Sequence, residues 1–79
     1  MNGDIEIGDI VMFDNANSTY TKWFFGKIGR VVNTAQSKTT GRLHVKVSWS
    51  APVKYFDGHT GVSSFEASDF MMMSKKEWK

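Results

Sequence analysis

The chain contains no cysteine among its 79 residues, and this absence excludes disulfide bonds and thiolate metal sites together. Small secreted domains usually depend on such cross-links. A domain that folds without them is more typical of a reducing compartment. The expected localisation is therefore cytoplasmic.

Long apolar runs are also missing. The first six residues, MNGDIE, are acidic and predict neither a signal peptide nor a membrane span. The chain has one proline and no low-complexity block or repeat, and 41% hydrophobic residues is ordinary for a globular protein. We expect a single domain over residues 1–79, with its core over about 5–73 and a charged tail at 74–79. A domain this small leaves little room for a large enclosed active site.

A large excess of one charge sign is missing as well. Ten basic and eight acidic residues give a net charge of +2, and both signs are scattered along the chain. A mildly basic balance permits a nucleic-acid partner without requiring one.

The clearest positive signal is the segment RLHVKVSW at residues 42–49, which alternates between polar and apolar residues as a half-buried β-strand does. The residues expected in the core are Leu43, Val45, Val47 and Trp49. The residues expected on the solvent face are Arg42, His44, Lys46 and Ser48.

Four further strands are expected. The first covers residues 5–13, with a turn or bulge at Gly8, and the second covers residues 25–32, where Gly26 and Gly29 indicate bending or a close backbone approach. Residues 34–41 connect it to the third strand, which Pro52 is expected to end. A turn at residues 57–58 precedes a short fourth strand at 62–66, and a tight turn at 67–69 precedes a fifth at 70–73.

Helical periodicity is absent from every window of eleven or more residues, so the predicted class is all-β. Five short strands in so small a chain favour a strongly bent sheet that closes as a barrel. Phe25, Trp49 and Phe65 are expected in its core.

The segments GDIVMF (8–13), FGKIGRV (25–31) and LHVKV (43–47) together resemble the KOW-type pattern of SH3-like barrels. The later FEASDF (65–70) is similar to the short 3₁₀ turn before the last strand of those barrels. This resemblance to KOW and Tudor-like domains implies a non-enzymatic binding module, with RNA, DNA or a transcription or translation complex as partner. The aromatic segment before Gly26 and the long connection at 34–41 depart from a compact KOW core and leave a different SH3-like subgroup with a protein target open.

Two candidate surfaces follow from the residues. The first is a basic sheet face that would contact phosphates, formed by Lys27, Arg30, Lys38, Arg42, His44 and Lys46. The second is a set of loop aromatics that would bind a base or a peptide, formed by Tyr20, Trp23 and Tyr55. Each set also has a purely structural interpretation, as the solvated face of the sheet or as plugs for the barrel ends.

The run Met71-Met72-Met73 cannot all face one core if it is a strand, because successive side chains alternate. Exposed methionines would form an adaptable contact edge, whereas Trp78 folding back over them would bury them.

Catalysis is not expected, although Asp57, His59 and Ser63 supply the residue types of a hydrolytic triad, because all three fall in one glycine-rich turn region. His44 and His59 lack metal-ligand spacing, so no metal or cofactor is expected. The favoured function is binding of nucleic acid or of a complex that handles it. The alternative is a protein-interaction module, such as a regulator or inhibitor of the kind that phages encode, which uses the loop aromatics and the methionine edge.

Overall fold

The computed structural model describes residues 5–75, which form one antiparallel sheet of five strands with a short helix and a 3₁₀ turn. The strands are β1 Ile10–Phe13, β2 Ile28–Gln36, β3 Leu43–Tyr55, β4 Gly58–Glu66 and β5 Phe70–Ser74. Helix α1 is Thr21–Phe24, and the 3₁₀ turn is Ala67–Asp69. The spatial order is β4-β3-β2-β1-β5, so the last strand returns to pair with the first. The five strands and the tight turn before the last one are confirmed.

The all-β prediction is wrong at α1, which lies in the aromatic segment before Gly26. The backbone N–H of Phe24 donates to the carbonyl of Tyr20, and that of Phe25 donates to Thr21. These bonds close a single helical turn. A helix of four residues is too short to produce a periodic pattern in the sequence, which is why the pattern gave no sign of it.

The first strand is shorter than predicted, because residues 6–9 form a turn before it. The backbone N–H of Asp9 donates to the carbonyl of Glu6 at 3.1 Å, and pairing with β2 begins in register at Ile10 opposite Arg30. Gly8 lies in this turn with a φ of 99°, which agrees with the turn or bulge expected there.

Pro52 does not end the third strand, contrary to the prediction. Strand β3 continues to Tyr55, and Pro52 lies where the register with β4 shifts between Ser48 and Val53. The pairing with β2 has already ended at Trp49. Since no ladder needs a backbone donor at this point, a proline fits. Strand β4 then begins at Gly58 rather than at residue 62.

The alternation of residues 42–49 is confirmed. Val45, Val47 and Trp49 are buried and Arg42 and Lys46 are exposed, as expected, whereas Leu43, His44 and Ser48 are half-buried. The three buried residues join a core that consists of Ile5, Val11, Phe13, Phe24, Val31, Val45, Val47, Trp49 and Val53. Phe65 packs against this core as expected, but Phe25 does not belong to it and is 49% exposed.

The sheet is strongly curved, and this curvature lets one sheet enclose a core. In a flat sheet β1 and β4 would lie about 14 Å apart, three spacings of roughly 4.8 Å. The ring centroids of Phe13 on β1 and Phe65 on β4 nevertheless lie 5.0 Å apart. The rings of Phe65 on β4 and Phe70 on β5, the two edge strands, have centroids 6.1 Å apart across the interior. No backbone ladder joins β4 to β5 within residues 5–75.

The three methionines of β5 alternate between the two faces of the sheet, as successive residues of a strand do. Met72 packs against the core, whereas Met71 and Met73 are 45% and 47% exposed. The expected position of Trp78 lies outside the described residues.

The two ends of the described chain meet at a buried carboxylate. The side chain of Asp9 is fully buried, accepts a hydrogen bond from the backbone N–H of Glu6 at 2.7 Å, and lies 2.8 Å from the Lys75 ammonium. Lys75 also lies 3.8 Å from the Glu6 carboxylate. This pair attaches the end of β5 to the turn before β1.

Lys75→Met is expected to lower the free energy of unfolding by about 1–2 kcal/mol, because it removes a cation from a buried carboxylate. The expected loss is smaller than for a fully buried pair since the Lys75 side chain is 47% exposed. Urea denaturation measures it, with Lys38→Met in the exposed β2–β3 connection as the matched control. Equal stability of the two variants would show that the pair contributes nothing to the fold.

Candidate binding surface

The aromatic segment folds as it does because polar side chains fix the loop before α1. The Thr21 hydroxyl donates to the carbonyl of Asn15 at 2.6 Å and accepts from the backbone N–H of Ser18 at 3.1 Å. The helical turn that follows buries Phe24 at 1% exposure. Its neighbours Lys22 and Phe25 are consequently left on the surface.

The three aromatics that the sequence singled out lie together where α1 meets the β3–β4 hairpin. Trp23 and Tyr55 have ring centroids 5.1 Å apart, and Tyr20 lies 6.4 Å from Trp23 and 6.0 Å from Tyr55. Tyr20 is 39% exposed, whereas Trp23 and Tyr55 are half-buried and pack against the core. Their role in binding stays a prediction, and their packing shows that Trp23 and Tyr55 also support the fold.

Tyr55 lies beside Tyr20, with their ring centroids 6.0 Å apart. Desolvation by burial raises the pKa of the Tyr55 hydroxyl, and the neighbouring Tyr20 raises this pKa further. The contact between these two rings joins the start of α1 to the end of β3.

The β3–β4 hairpin turns through Phe56 and Asp57, since Tyr55 pairs with Gly58. This is one residue earlier than the turn expected from Asp57 and Gly58. Phe56 has a φ of 55°, a left-handed conformation that costs a side chain with a Cβ roughly 1–2 kcal/mol. It is 62% exposed, and its ring lies 4.6 Å from Trp23 and 4.4 Å from Tyr55.

Three lysines border these aromatic rings. Lys22, Lys27 and Lys54 line an open depression of about 400 Å³ together with Trp23 and Phe25. The Lys22 ammonium lies 4.5 Å from the centre of the Trp23 ring, within the range of a cation-π contact. None of the three lysines forms an ion pair with any residue in 5–75. We call this set, with Phe56, the lysine-aromatic surface.

The basic residues predicted for one sheet face are divided by the structure. Lys27 precedes β2 and belongs to the lysine-aromatic surface, whereas Lys38 lies in the β2–β3 connection. Arg30 and Lys46 are exposed on the outer face of β2 and β3, opposite Ser48 and Asn33 respectively.

Arg42 and His44 lie beside an acid. The Arg42 guanidinium is 3.3 Å from the Glu66 carboxylate, and His44 is directly opposite Glu66 in the β3–β4 register. Arg42 is 66% exposed in its side chain, so this pair is worth little to stability, but Glu66 lowers the positive potential at that end of the sheet. A continuous cationic face over β2 and β3 is therefore interrupted there.

Sequence reasoning missed four members of the lysine-aromatic surface: Lys22, Phe25, Lys54 and Phe56. Lys54 stands between Val53 and Tyr55 in an alternating pattern, so its exposure was readable from the sequence. The proximity of Lys54 to Trp23 could not be predicted from the sequence, because it depends on how α1 packs against the hairpin.

Other chemistry has little support in the described residues. The hydroxyl of Ser63 accepts a hydrogen bond from the Trp49 indole at 3.1 Å, and His59 is exposed opposite Lys54 in the hairpin. Within residues 5–75 no cluster of three or more His, Asp or Glu side chains is arranged to hold a metal ion. No helix in the same part of the chain has the length and apolarity needed to span a membrane.

Comparison of the chain with protein-family models, with curated proteins and with solved structures gives no match.

Proposed function

We propose that this domain is a non-enzymatic module that binds nucleic acid through the lysine-aromatic surface. The observation that carries the proposal is the group Lys22, Lys27 and Lys54, three cations without acidic partners in the described chain around exposed aromatic rings. Nucleic-acid-binding surfaces combine these two features, because cations neutralise phosphates and aromatic faces stack on bases. The proposal needs no cofactor, and the partner is RNA or DNA, free or within a transcription or translation complex in the cytoplasm.

We also propose that the fold is an SH3-like barrel of the KOW or Tudor-like type. The return of β5 to β1 and the contact between Phe13 and Phe65 support a sheet that curls toward closure. The 3₁₀ turn before β5 supports it further. Fold alone does not assign function, so the binding proposal depends on the surface and not on this resemblance.

The sheet face that the sequence favoured is the weaker site on electrostatic grounds. Arg42 lies beside Glu66, and Lys38 lies in a connection away from the strands. Arg30 donates a long hydrogen bond of 3.4 Å to the carbonyl of Gly8. The depression that the three lysines line has no acidic side chain in its lining, and the exposed rings of Phe25 and Phe56 add aromatic surface to its charge.

Binding to a fluorescein-labelled single-stranded 20-mer is expected to depend on salt with a log–log slope of about −2, because three lysines each neutralise one phosphate. The association constant should then fall about 20-fold between roughly 50 and 200 mM salt. The combined variant K22E/K27E/K54E is expected to weaken binding about 20-fold or more at the lower salt concentration. Fluorescence anisotropy measures both effects, and circular dichroism verifies folding.

The matched control is R30E/K38E/K46E, which makes the same change in net charge on the sheet face and the β2–β3 connection. It should weaken binding less than K22E/K27E/K54E does, because its substituted residues lie outside the depression that the three lysines line. A larger loss in this control than in the lysine variant would move the site to the sheet face. Absence of binding by the unaltered protein at low salt would refute the function itself.

A protein partner is the second candidate, and one observation favours it. Met71, Met12 and Ile28 are cross-strand neighbours on the outer face of β5, β1 and β2, and Met71 and Ile28 are 45% and 38% exposed. Arg30 borders this row, so the fitting partner is apolar with carboxylates at its rim. Nuclease treatment of an affinity purification separates the two candidates, since only a nucleic-acid bridge is lost.

A further inference from the structure

The hairpin turn at Phe56 uses a residue that the turn does not require. When the first residue of a two-residue turn has a positive φ, glycine is strongly preferred and asparagine or aspartate is tolerated. Phe56 holds this position with a φ of 55°, and it is the only residue other than glycine with a positive φ among those described. A bulky aromatic residue in this conformation is a genuine outlier.

The core does not require Phe56 either. Its side chain is 62% exposed and does not belong to the buried cluster or to the side chains that pack against it. Its contacts are with Trp23 at 4.6 Å and Tyr55 at 4.4 Å between ring centroids. These two rings contact one side of the Phe56 ring, and its remaining surface is exposed to solvent.

The surroundings of Phe56 match one chemical class of ligand. Trp23, which supports the ring, shares the depression with Lys22, Lys27 and Lys54. Lys22 already covers the Trp23 ring at 4.5 Å, so Phe56 and Phe25 supply the accessible aromatic surface. Cations for phosphates beside a free aromatic ring are the elements of single-strand recognition.

We propose that Phe56 is a stacking residue and that the ligand class is single-stranded nucleic acid; this inference rests on the proposed function. Bases in a duplex already stack on each other and offer no free face to a ring at the tip of a hairpin. An unpaired base offers such a face. The strained turn therefore holds an aromatic ring where a base can reach it while the lysines contact the adjoining phosphates.

The test compares a single-stranded 12-mer with the duplex of the same sequence, for the unaltered protein, Phe56→Gly and Phe56→Trp. The unaltered protein should bind the single strand about tenfold more tightly than the duplex, and Phe56→Gly should lose about tenfold for the single strand only. The log–log slope of the association constant of Phe56→Gly against salt concentration should equal that of the unaltered protein, because the lysines remain. Phe56→Trp should retain binding, since it restores an aromatic face.

Phe56→Gly keeps the test independent of folding, because glycine adopts a positive φ without strain. If the unaltered protein binds and K22E/K27E/K54E does not, but Phe56→Gly binds like the unaltered protein, stacking by Phe56 is refuted and the proposed function stands. If the unaltered protein binds no oligonucleotide, both fail. A poly-glutamate peptide that binds as tightly as the single strand would assign the surface to acidic proteins and overturn the inference.

Discussion

Gly29→Ala is expected to lower the free energy of unfolding by about 3 kcal/mol, because it forces a methyl group into a closely packed site. A Cβ at Gly29 would lie 2.3 Å from the Cγ1 of Val47 and 2.7 Å from the carbonyl oxygen of Ser48. Val47 is fully buried, and the Ser48 oxygen belongs to the backbone of the neighbouring strand. The Ser48 oxygen cannot move away without separating β3 from β2, and a shift of Val47 would disturb the core in which it is buried.

The loss is large in proportion to the stability of a small domain, which is about 5–10 kcal/mol at most. Urea denaturation followed by tryptophan fluorescence measures it, because Trp49 is 6% exposed in the core and should change its emission on unfolding. The pairing of Gly29 with Trp49 across β2 and β3 also places this probe beside the substitution.

Gly61→Ala is the matched control. Gly61 also lies in a strand, but a Cβ there would meet nothing within 4 Å, and its φ is not in the left-handed region. We expect its stability to stay within about 0.5 kcal/mol of the unaltered protein. If both variants unfold at the same urea concentration, β2 and β3 do not approach each other as closely as described.

Phe24→Ala is expected to lower the free energy of unfolding by about 3–5 kcal/mol, a large part of the total stability of a domain this size. Phe24 is 1% exposed and is the residue through which α1 joins the core. Its ring lies 5.3 Å from Trp49, 5.1 Å from Phe65 and 5.4 Å from Tyr55. Truncation leaves a cavity bounded by large rings that cannot collapse into it.

Phe25→Ala provides the comparison at the adjacent position. Because Phe25 is 49% exposed, its truncation should change stability by no more than about 0.5–1 kcal/mol. Thermal denaturation by circular dichroism is sufficient to separate the two variants. Equal losses would mean that Phe25 is buried as the sequence pattern predicted and that α1 is oriented differently.

The sequence pattern did not distinguish the buried Phe24 from the exposed Phe25. The motif FGKIGRV made Phe25 look like the first core residue of a strand, and the pattern contained nothing to separate it from Phe24. Only the single turn of α1, fixed by Thr21 and Asn15, decides which ring points inward. That turn depends on loop hydrogen bonds rather than on periodicity.

Period-two alternation by itself determined much of the sheet. It identified the two faces of residues 42–49 in β3 and the opposite orientations of Met71 and Met72, because a strand admits only one arrangement of successive side chains. The other strands were predicted from their β-branched and aromatic residues and from the turn residues between them. Gly29 likewise indicated a close approach of the backbone to a neighbouring element, but the sequence did not identify that element as β3.

Tertiary structure alone decided which residues share a surface. Lys22, Lys27 and Lys54 are distant or unremarkable in sequence and lie together because α1 packs against the β3–β4 hairpin. Glu66 reaches Arg42 because β4 pairs with β3. Alternation fixes a face within one strand, but only the curvature of the sheet and the packing of its connections bring charges from different elements together.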